Sequence, residues 1–293
     1  MLPPIFTPDF LRQLELLKLR SRRAFLGTRQ GGHQSLKRGH GIEFSDFRNY
    51  EPGDDPRHID WSLFARTERL YVKVFQEEQD INVLLLIDAS ASMLVPERDR
   101  KWETARDIAL ALAYVALLQQ DRVTLSVPGI FHSPFYNGGA GVHRLAHDIA
   151  GLRLEGGENL LKGVQQAVAR LRFPGIAVLL SDFLMPFDQV ERLCNVLRAK
   201  NLDITAIQVL GANDIKPLEQ QTHVLAVDSE SGEEIELSLN DDARADYDDL
   251  LAEHNARLRE YFASARIAYA LAPAAEGARD FVIQKLAHTA LMQ

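Results

Sequence analysis

The sequence predicts an α/β protein, with a mostly parallel sheet covered by helices on both faces and an irregular, partly β N-terminal elaboration. Three observations carry this. Residues 82–87 and 175–181 are short runs that are apolar on both faces, as strands in the middle of a parallel sheet are. Such runs alternate with long segments of helical character, the pattern of repeated strand–helix units. The first eighty residues lack this rhythm. They carry Gly27, Gly31, Gly32, Gly39 and Gly41, followed by a dense turn signal at residues 51–56. The expected division is therefore 1–80 and 81–293.

The elements follow in order. Residues 8–26 place Phe10, Leu11, Leu14, Leu17 and Leu19 at roughly helical spacing behind a Pro8-Asp9 start, and predict a helix. Residues 70–75 alternate β-branched and aromatic residues and predict a strand. Beyond residue 81, the Ala/Leu-rich stretch 101–120 predicts a long helix. Residues 122–127 and 129–135 predict two strands joined tightly at Pro128-Gly129. Helices are expected over 142–152, 159–171 and 187–200, and a strand over 203–210. A hairpin of 222–227 with 234–239, a helix over 241–263, a strand over 267–271 and a last helix over 277–288 complete the series.

Composition narrows the function. The 293 residues are 46% hydrophobic and 25% charged, which is ordinary for a globular chain. The longest apolar run, residues 108–118, is shorter than the ~18 residues that a membrane span needs. The N-terminus lacks the basic start and apolar stretch of a secretory signal, and a cytoplasmic location is expected. One cysteine, Cys194, excludes an internal disulfide framework and a multi-cysteine metal cluster. It lies on an apolar helical face and reads as core. Charge is uneven: Arg12, Lys18, Arg20, Arg22, Arg23, Arg29, Lys37 and Arg38 against Glu15 make residues 12–38 a +7 arm. The net charge of −8 then leaves −15 for the rest. Such an arm suits an acidic surface, the protein's own or a partner's. Nucleic acid is the weaker alternative, because the acidic body repels phosphate. The acidic cluster Asp241, Asp242, Asp246, Asp248 and Asp249 begins a helix, where the dipole favours it, and is one place for the arm to dock.

Chemistry is expected at the carboxyl ends of strands, where open parallel sheets form their sites. Asp88-Ala-Ser90-Ala-Ser92 follows the first apolar strand, and Ser181-Asp182 ends the second. Two carboxylates and two hydroxyls suit a hard divalent cation, Mg²⁺ or Mn²⁺. The plainer alternative is that Asp88 and Ser90 cap the loop and the helix after it.

This motif with Asp182 resembles the metal-ion-dependent adhesion site of von Willebrand factor type A domains. The stretch from Phe44 through Asp46, Arg48, Tyr50, Pro52, Gly53, Asp54, Asp55, Arg57, Ile59, Asp60 and Trp61 to Ala65-Arg66-Thr67 and Met93 closely resembles the bacterial domain-of-unknown-function 58 family (DUF 58). The resemblance implies a von Willebrand A-like fold, a bound divalent cation, and protein–protein interaction rather than catalysis. It also implies a MoxR-type AAA+ ATPase as partner. Many family members carry membrane helices before the signature, and this chain has none there. One departure stands out. The third element of such a site is a threonine in a Gly-Gly-Thr-like loop, and here the loop reads Gly156-Gly157-Glu158-Asn159. Either Glu158 ligates the ion as a third carboxylate, or it faces solvent and Asn159 or water fills the shell.

In the signature, arginines alternate with aspartates. Arg48, Arg57 and Arg66 with Asp46, Asp54, Asp55 and Asp60 are expected to form an internal salt-bridge and hydrogen-bond lattice; the alternative is a docking surface made by the signature residues Arg48, Tyr50, Gly53, Asp54, Asp55, Arg57, Asp60, Trp61 and Arg66. Trp61 is expected to pack in an apolar interface beside Ile59. His58 and His132 are each expected to be structural, hydrogen-bonded residues. Enzyme classes fare poorly: there is no Gly-x-Ser-x-Gly elbow and no P-loop. A metal-dependent phosphoesterase using Asp88 as nucleophile remains the enzymatic alternative. The dehalogenase-like pattern, however, wants an aspartate at the position of Ser90.

Overall fold

The computed structural model describes residues 2–21, 33–35, 43–79, 81–152, 154, 160–171, 175–216, 223–227, 232–238, 240–289 and 291–292. Its contacts divide the chain into two units. One is Arg23–Ile81, and the other joins Met1–Arg22 with Asn82–Gln293.

The larger unit begins with α1 (Pro8–Glu15), capped by the hydroxyl of Thr7, which accepts from Phe10 N. This helix is shorter than expected. Leu19, fully buried, pairs instead with Met292 at the other end of the chain. Its N–H goes to Gln119 Oε1 at 2.7 Å, and Arg20 N donates to Leu291 O at 2.8 Å. These distant partners claim the backbone groups that a longer helix would need.

In the smaller unit, β1 (His33–Ser35), β2 (Glu43–Asn49), α2 (Trp61–Thr67) and β3 (Tyr71–Gln79) form an antiparallel sheet of order β1-β3-β2 with one short helix. The strand at β3 was expected. β2 and α2 lie in sequence that reads as turns and loops. Arg48 grips Asp54 with two parallel hydrogen bonds of 2.5 and 2.6 Å, and Asp54 also accepts from Glu51 N. Gly53 between them sits at φ +107°, a conformation that side chains resist. Tyr50 N donates to Leu70 O, and Asp60 caps α2 by accepting from Leu63 N. Arg57 and Asp55 pair in solvent and contribute little, while Arg66 is exposed. Ile59 is buried against Val72, but Trp61 is 61% exposed, contrary to expectation. It is the first residue of a two-turn helix, and its ring meets Phe64 edge-on, 6.1 Å between centroids.

The larger unit holds the main sheet: β4 (Asn82–Ile87), β5 (Arg122–Val127), β6 (Phe131–His132), β7 (Gly175–Ser181), β8 (Asp203–Leu210) and β11 (Ala268–Pro273). Its order is β11-β8-β7-β4-β5-β6, parallel throughout except at β6. β6 is two residues long rather than seven. Pro134 offers no donor, and the Ser133 hydroxyl takes up Leu125 N instead. Every residue of β4, β7 and β8 is buried; β4 and β7 are apolar except for Asn82 and Ser181 at their ends, while β8 buries Asp203, Thr205 and Gln208 among apolar residues.

Helices cover both faces. On one, Leu84, Leu86, Ala177 and Leu179 pack against α6 (Leu160–Ala169), α7 (Phe187–Ala199) and α9 (Asp241–Ser264). Cys194 is in this core. On the other lies α4 (Lys101–Leu118), which contacts β4, β5, β7 and β8 and is itself overlaid by α1 and α5 (Ala140–Ala150). Being covered on both sides, α4 is apolar nearly all round. Two four-residue helices, α3 (Ala91–Leu94) and α8 (Ala212–Ile215), follow β4 and β8. β9 (His223–Val227) and β10 (Glu234–Ser238) form the expected hairpin. The expected C-terminal helix is broken: one α turn at Ala278–Asp280 widens into a π segment, Phe281–Lys285, and ends in a 3-10 turn. The wider turn lets Phe281 and Leu286, five residues apart, both be fully buried.

Candidate cation and interaction site

Strand order decides where the site lies. The chain leaves β4 towards β5 on one side. It returns to β7 on the other side and continues outward to β8 and β11. The carboxyl ends of β4 and β7 therefore flank the crevice at which the winding reverses. Asp88 follows β4 and Asp182 follows β7.

Asp88 extends the ladder, its N–H reaching Leu180 O at 2.8 Å. Its carboxylate is 1% exposed. Oδ1 accepts from Ser90 N at 2.9 Å and Oδ2 from Ser181 Oγ at 2.7 Å. Burial pushes this acid up to about 6. The Ser181 and Ser90 hydrogen bonds pull the other way, and the charge of Asp182 adds to the rise. Ser90 stands at the start of α3 yet makes no capping bond with its side chain. Its Oγ instead lies 3.1 Å from Ser92 Oγ. The capping alternative thus describes Asp88 but not the hydroxyl of Ser90.

Asp182 is held from several directions. Oδ1 accepts from Leu184 N at 3.1 Å and the main-chain carbonyl from Gln208 Nε2 at 2.9 Å. Gln208 is in turn bonded to Asn255 and Tyr269. Phe183 takes a left-handed conformation, φ +54°, to turn the chain sharply after β7. Its fully buried ring packs edge-on against Phe262 at 5.6 Å, and His254 Nε2 meets its carbonyl at 2.8 Å. That packing offsets the strain of a left-handed non-glycine residue.

Sequence reasoning missed two residues. Lys101, at the first position of α4, puts its ammonium 3.2 Å from Asp182 Oδ2 and 2.9 Å from Asp214 Oδ2. Its side chain is 2% exposed. Asp214, in α8, also accepts from Gly211 N at 2.8 Å. Asp99 accepts from both nitrogens of Asn213, so the loop after β4 and the turn after β8 are bonded together. A lysine and an aspartate at helix starts carry no special signal in the sequence.

The donors are all hard oxygens, the chemistry of Mg²⁺ or Mn²⁺ rather than of Zn²⁺. Asp88, Ser90 and Ser92 fit such an ion: a buried carboxylate with a raised pKa gains most from a nearby positive charge. Asp182 is less free, because Lys101 holds its outer oxygen. Among the described residues, no three or more His, Cys, Asp or Glu side chains gather as a metal cluster, so the serine hydroxyls are needed. Glu158 lies outside the described residues, as does most of the basic arm. His132 is half-buried, its Nδ1 without a partner and its pKa lowered by burial; it is not beside the other donors in sequence or strand order.

Residues 46–257, more than half the chain, match the family described as Protein of unknown function DUF58, and the chain belongs to it. Uncharacterized protein Rv1480 of Mycobacterium tuberculosis (strain ATCC 25618 / H37Rv) is 28% identical over 264 residues, 85% of this chain and 80% of that protein. Among solved structures, the crystal structure of conserved hypothetical protein BatB from Bacteroides thetaiotaomicron aligns with TM-score 0.43 and 14% identity, over 71% of this chain and 97% of that one. An aerotolerance-related membrane protein from Bacteroides fragilis aligns with TM-score 0.38 and 14% identity, over 58% of this chain and 87% of that one. No helix among the described residues is long and apolar enough to cross a membrane.

Proposed function

We propose that this protein is a cytoplasmic adaptor that binds a protein partner through a divalent cation held at the carboxyl ends of β4 and β7. The observation that supports it most is the placement of Asp88, Ser90, Ser92 and Asp182 at the point where the sheet's winding reverses. Asp88, Ser90 and Ser92 hold the ion, Mg²⁺ or Mn²⁺, with Asp182 beside them and Glu158 as a further candidate ligand. The bound ion supplies a positive point on an acidic body, to which a partner's carboxylate can attach. By the family resemblance, a MoxR-type AAA+ ATPase is the partner.

Asp88 is a poor phosphoryl-accepting nucleophile. The dehalogenase-like pattern needs an aspartate where Ser90 stands, which favours the adaptor over the hydrolase. The test measures binding of the purified chain to a purified MoxR-type ATPase without nucleotide, in Mn²⁺ and in EDTA. Binding is expected in Mn²⁺, lost in EDTA and lost in Asp88→Ala. Equal binding in all three conditions overturns the reading, as does turnover of a phosphoester that Asp88→Ala abolishes.

A further inference from the structure

Lys101 is unusual in its surroundings. Its ammonium and the Asp182 carboxylate are each 2% exposed and 3.2 Å apart, so water screens their attraction weakly. The second partner, Asp214, is closer, 2.9 Å, and its Oδ2 is also fixed by Gly211 N. The carboxylates of Asp182 and Asp214 share this one ammonium, and Asp88 stands on the adjacent strand end, hydrogen-bonded to Ser181, with no cation of its own among the described contacts.

We propose that Lys101 is a built-in counter-cation of this site, competing with a divalent ion for Asp182 and so setting how tightly the ion is held. The proposal rests on the cation reading above and adds its regulation. A divalent ion beside Asp88 meets the positive charge of Lys101 in a poorly screened interior, and that repulsion weakens binding. The ammonium cannot retreat into water, because its side chain is buried at the start of α4. It has a second anchor in Asp214, so an ion that attracts Asp182 leaves Lys101 paired rather than stranded. Without the ion, Lys101 keeps Asp182 from being buried as a bare charge, a state that destabilises proteins strongly.

Two substitutions give opposite expectations. Lys101→Met keeps the apolar stem and removes the charge. In the full chain it should bind Mn²⁺ on the order of tenfold more tightly than wild type by calorimetry. It should also melt lower than wild type in EDTA and recover in Mn²⁺. Asp214→Asn leaves Lys101 on Asp182 alone and should weaken Mn²⁺ binding several-fold; it also carries the test if Lys101→Met does not fold. Unchanged affinity in both variants, with binding still abolished by Asp88→Ala, overturns the role of Lys101 and leaves the cation reading standing. No Mn²⁺ binding in wild type or either variant, or binding indifferent to Asp88→Ala, overturns both. Binding that appears only in Lys101→Met supports Lys101 as the site's resident cation.

Discussion

Replacing Asp88 with asparagine should stabilise the metal-free protein at neutral pH. The side chain is buried, and its acid lies at about 6 rather than 3.8. A displacement of roughly two pH units corresponds to about 3 kcal/mol of unfavourable charge burial above pH 6, at about 1.4 kcal/mol per unit. Asparagine keeps the shape and loses the charge. Its carbonyl accepts from Ser90 N, and its amide faces Ser181 Oγ, which then accepts rather than donates. That displacement is already net of the hydrogen bonds from Ser181 and Ser90, so the gain above pH 6 is about 3 kcal/mol. For a unit of this size that is on the order of 6 °C or more in Tm. The pH dependence has a definite sign. Native Asp88 keeps its proton up to about 6, while the unfolded chain releases it near the ordinary value. Between those values the native state binds more protons, so this group's contribution to wild-type stability falls as pH rises. The advantage of Asp88→Asn is therefore absent below about pH 4, grows to about pH 6 and is constant above it. Urea or thermal unfolding of both proteins in EDTA across this range measures it. A variant no more stable at pH 7, or a gap that fails to close towards pH 4, refutes the reasoning.

Two further predictions concern the core. Gly163→Ala in α6 should destabilise by about 1–2 kcal/mol, although alanine is the better helix former by about 1 kcal/mol. A Cβ there lies 2.5 Å from Pro128 Cβ and 2.7 Å from Gly129 N in the turn between β5 and β6, and backbone cannot yield cheaply. Greater stability of the variant in urea would show that the helix stands further from that turn. The Cys194 thiol, pushed up to about 12 by burial, should resist a disulfide reagent at pH 8. The shift alone lowers the thiolate fraction about a thousandfold, so labelling should await unfolding. Labelling of the native protein at the rate of a free thiol would place Cys194 at the surface.

The periodic signals of the sequence carried the sheet. The strands at 82–87, 122–127, 175–181 and 203–210 lie where expected: the central β4 and β7 are buried throughout and almost wholly apolar, and β5 and β8 beside them are rich in β-branched residues, with Thr124, Ser126, Thr205 and Gln208 buried among them. The motif of Asp88, Ser90 and Ser92 was legible for a related reason: polar residues directly after an apolar strand mark its exposed end. Elements whose shape depends on distant partners were not legible. α1 stops at Glu15 because Leu19 and Arg20 bond to the far end of the chain, and the C-terminal helix widens to bury Phe281 and Leu286 together. Lys101 is the sharpest case. By any local rule it is a solvated lysine opening a helix, yet its partners lie 81 and 113 residues away in sequence. Local pattern records which face of an element is buried. Which loops meet above the sheet is settled by strand order, and only the folded chain brings one ammonium between two carboxylates.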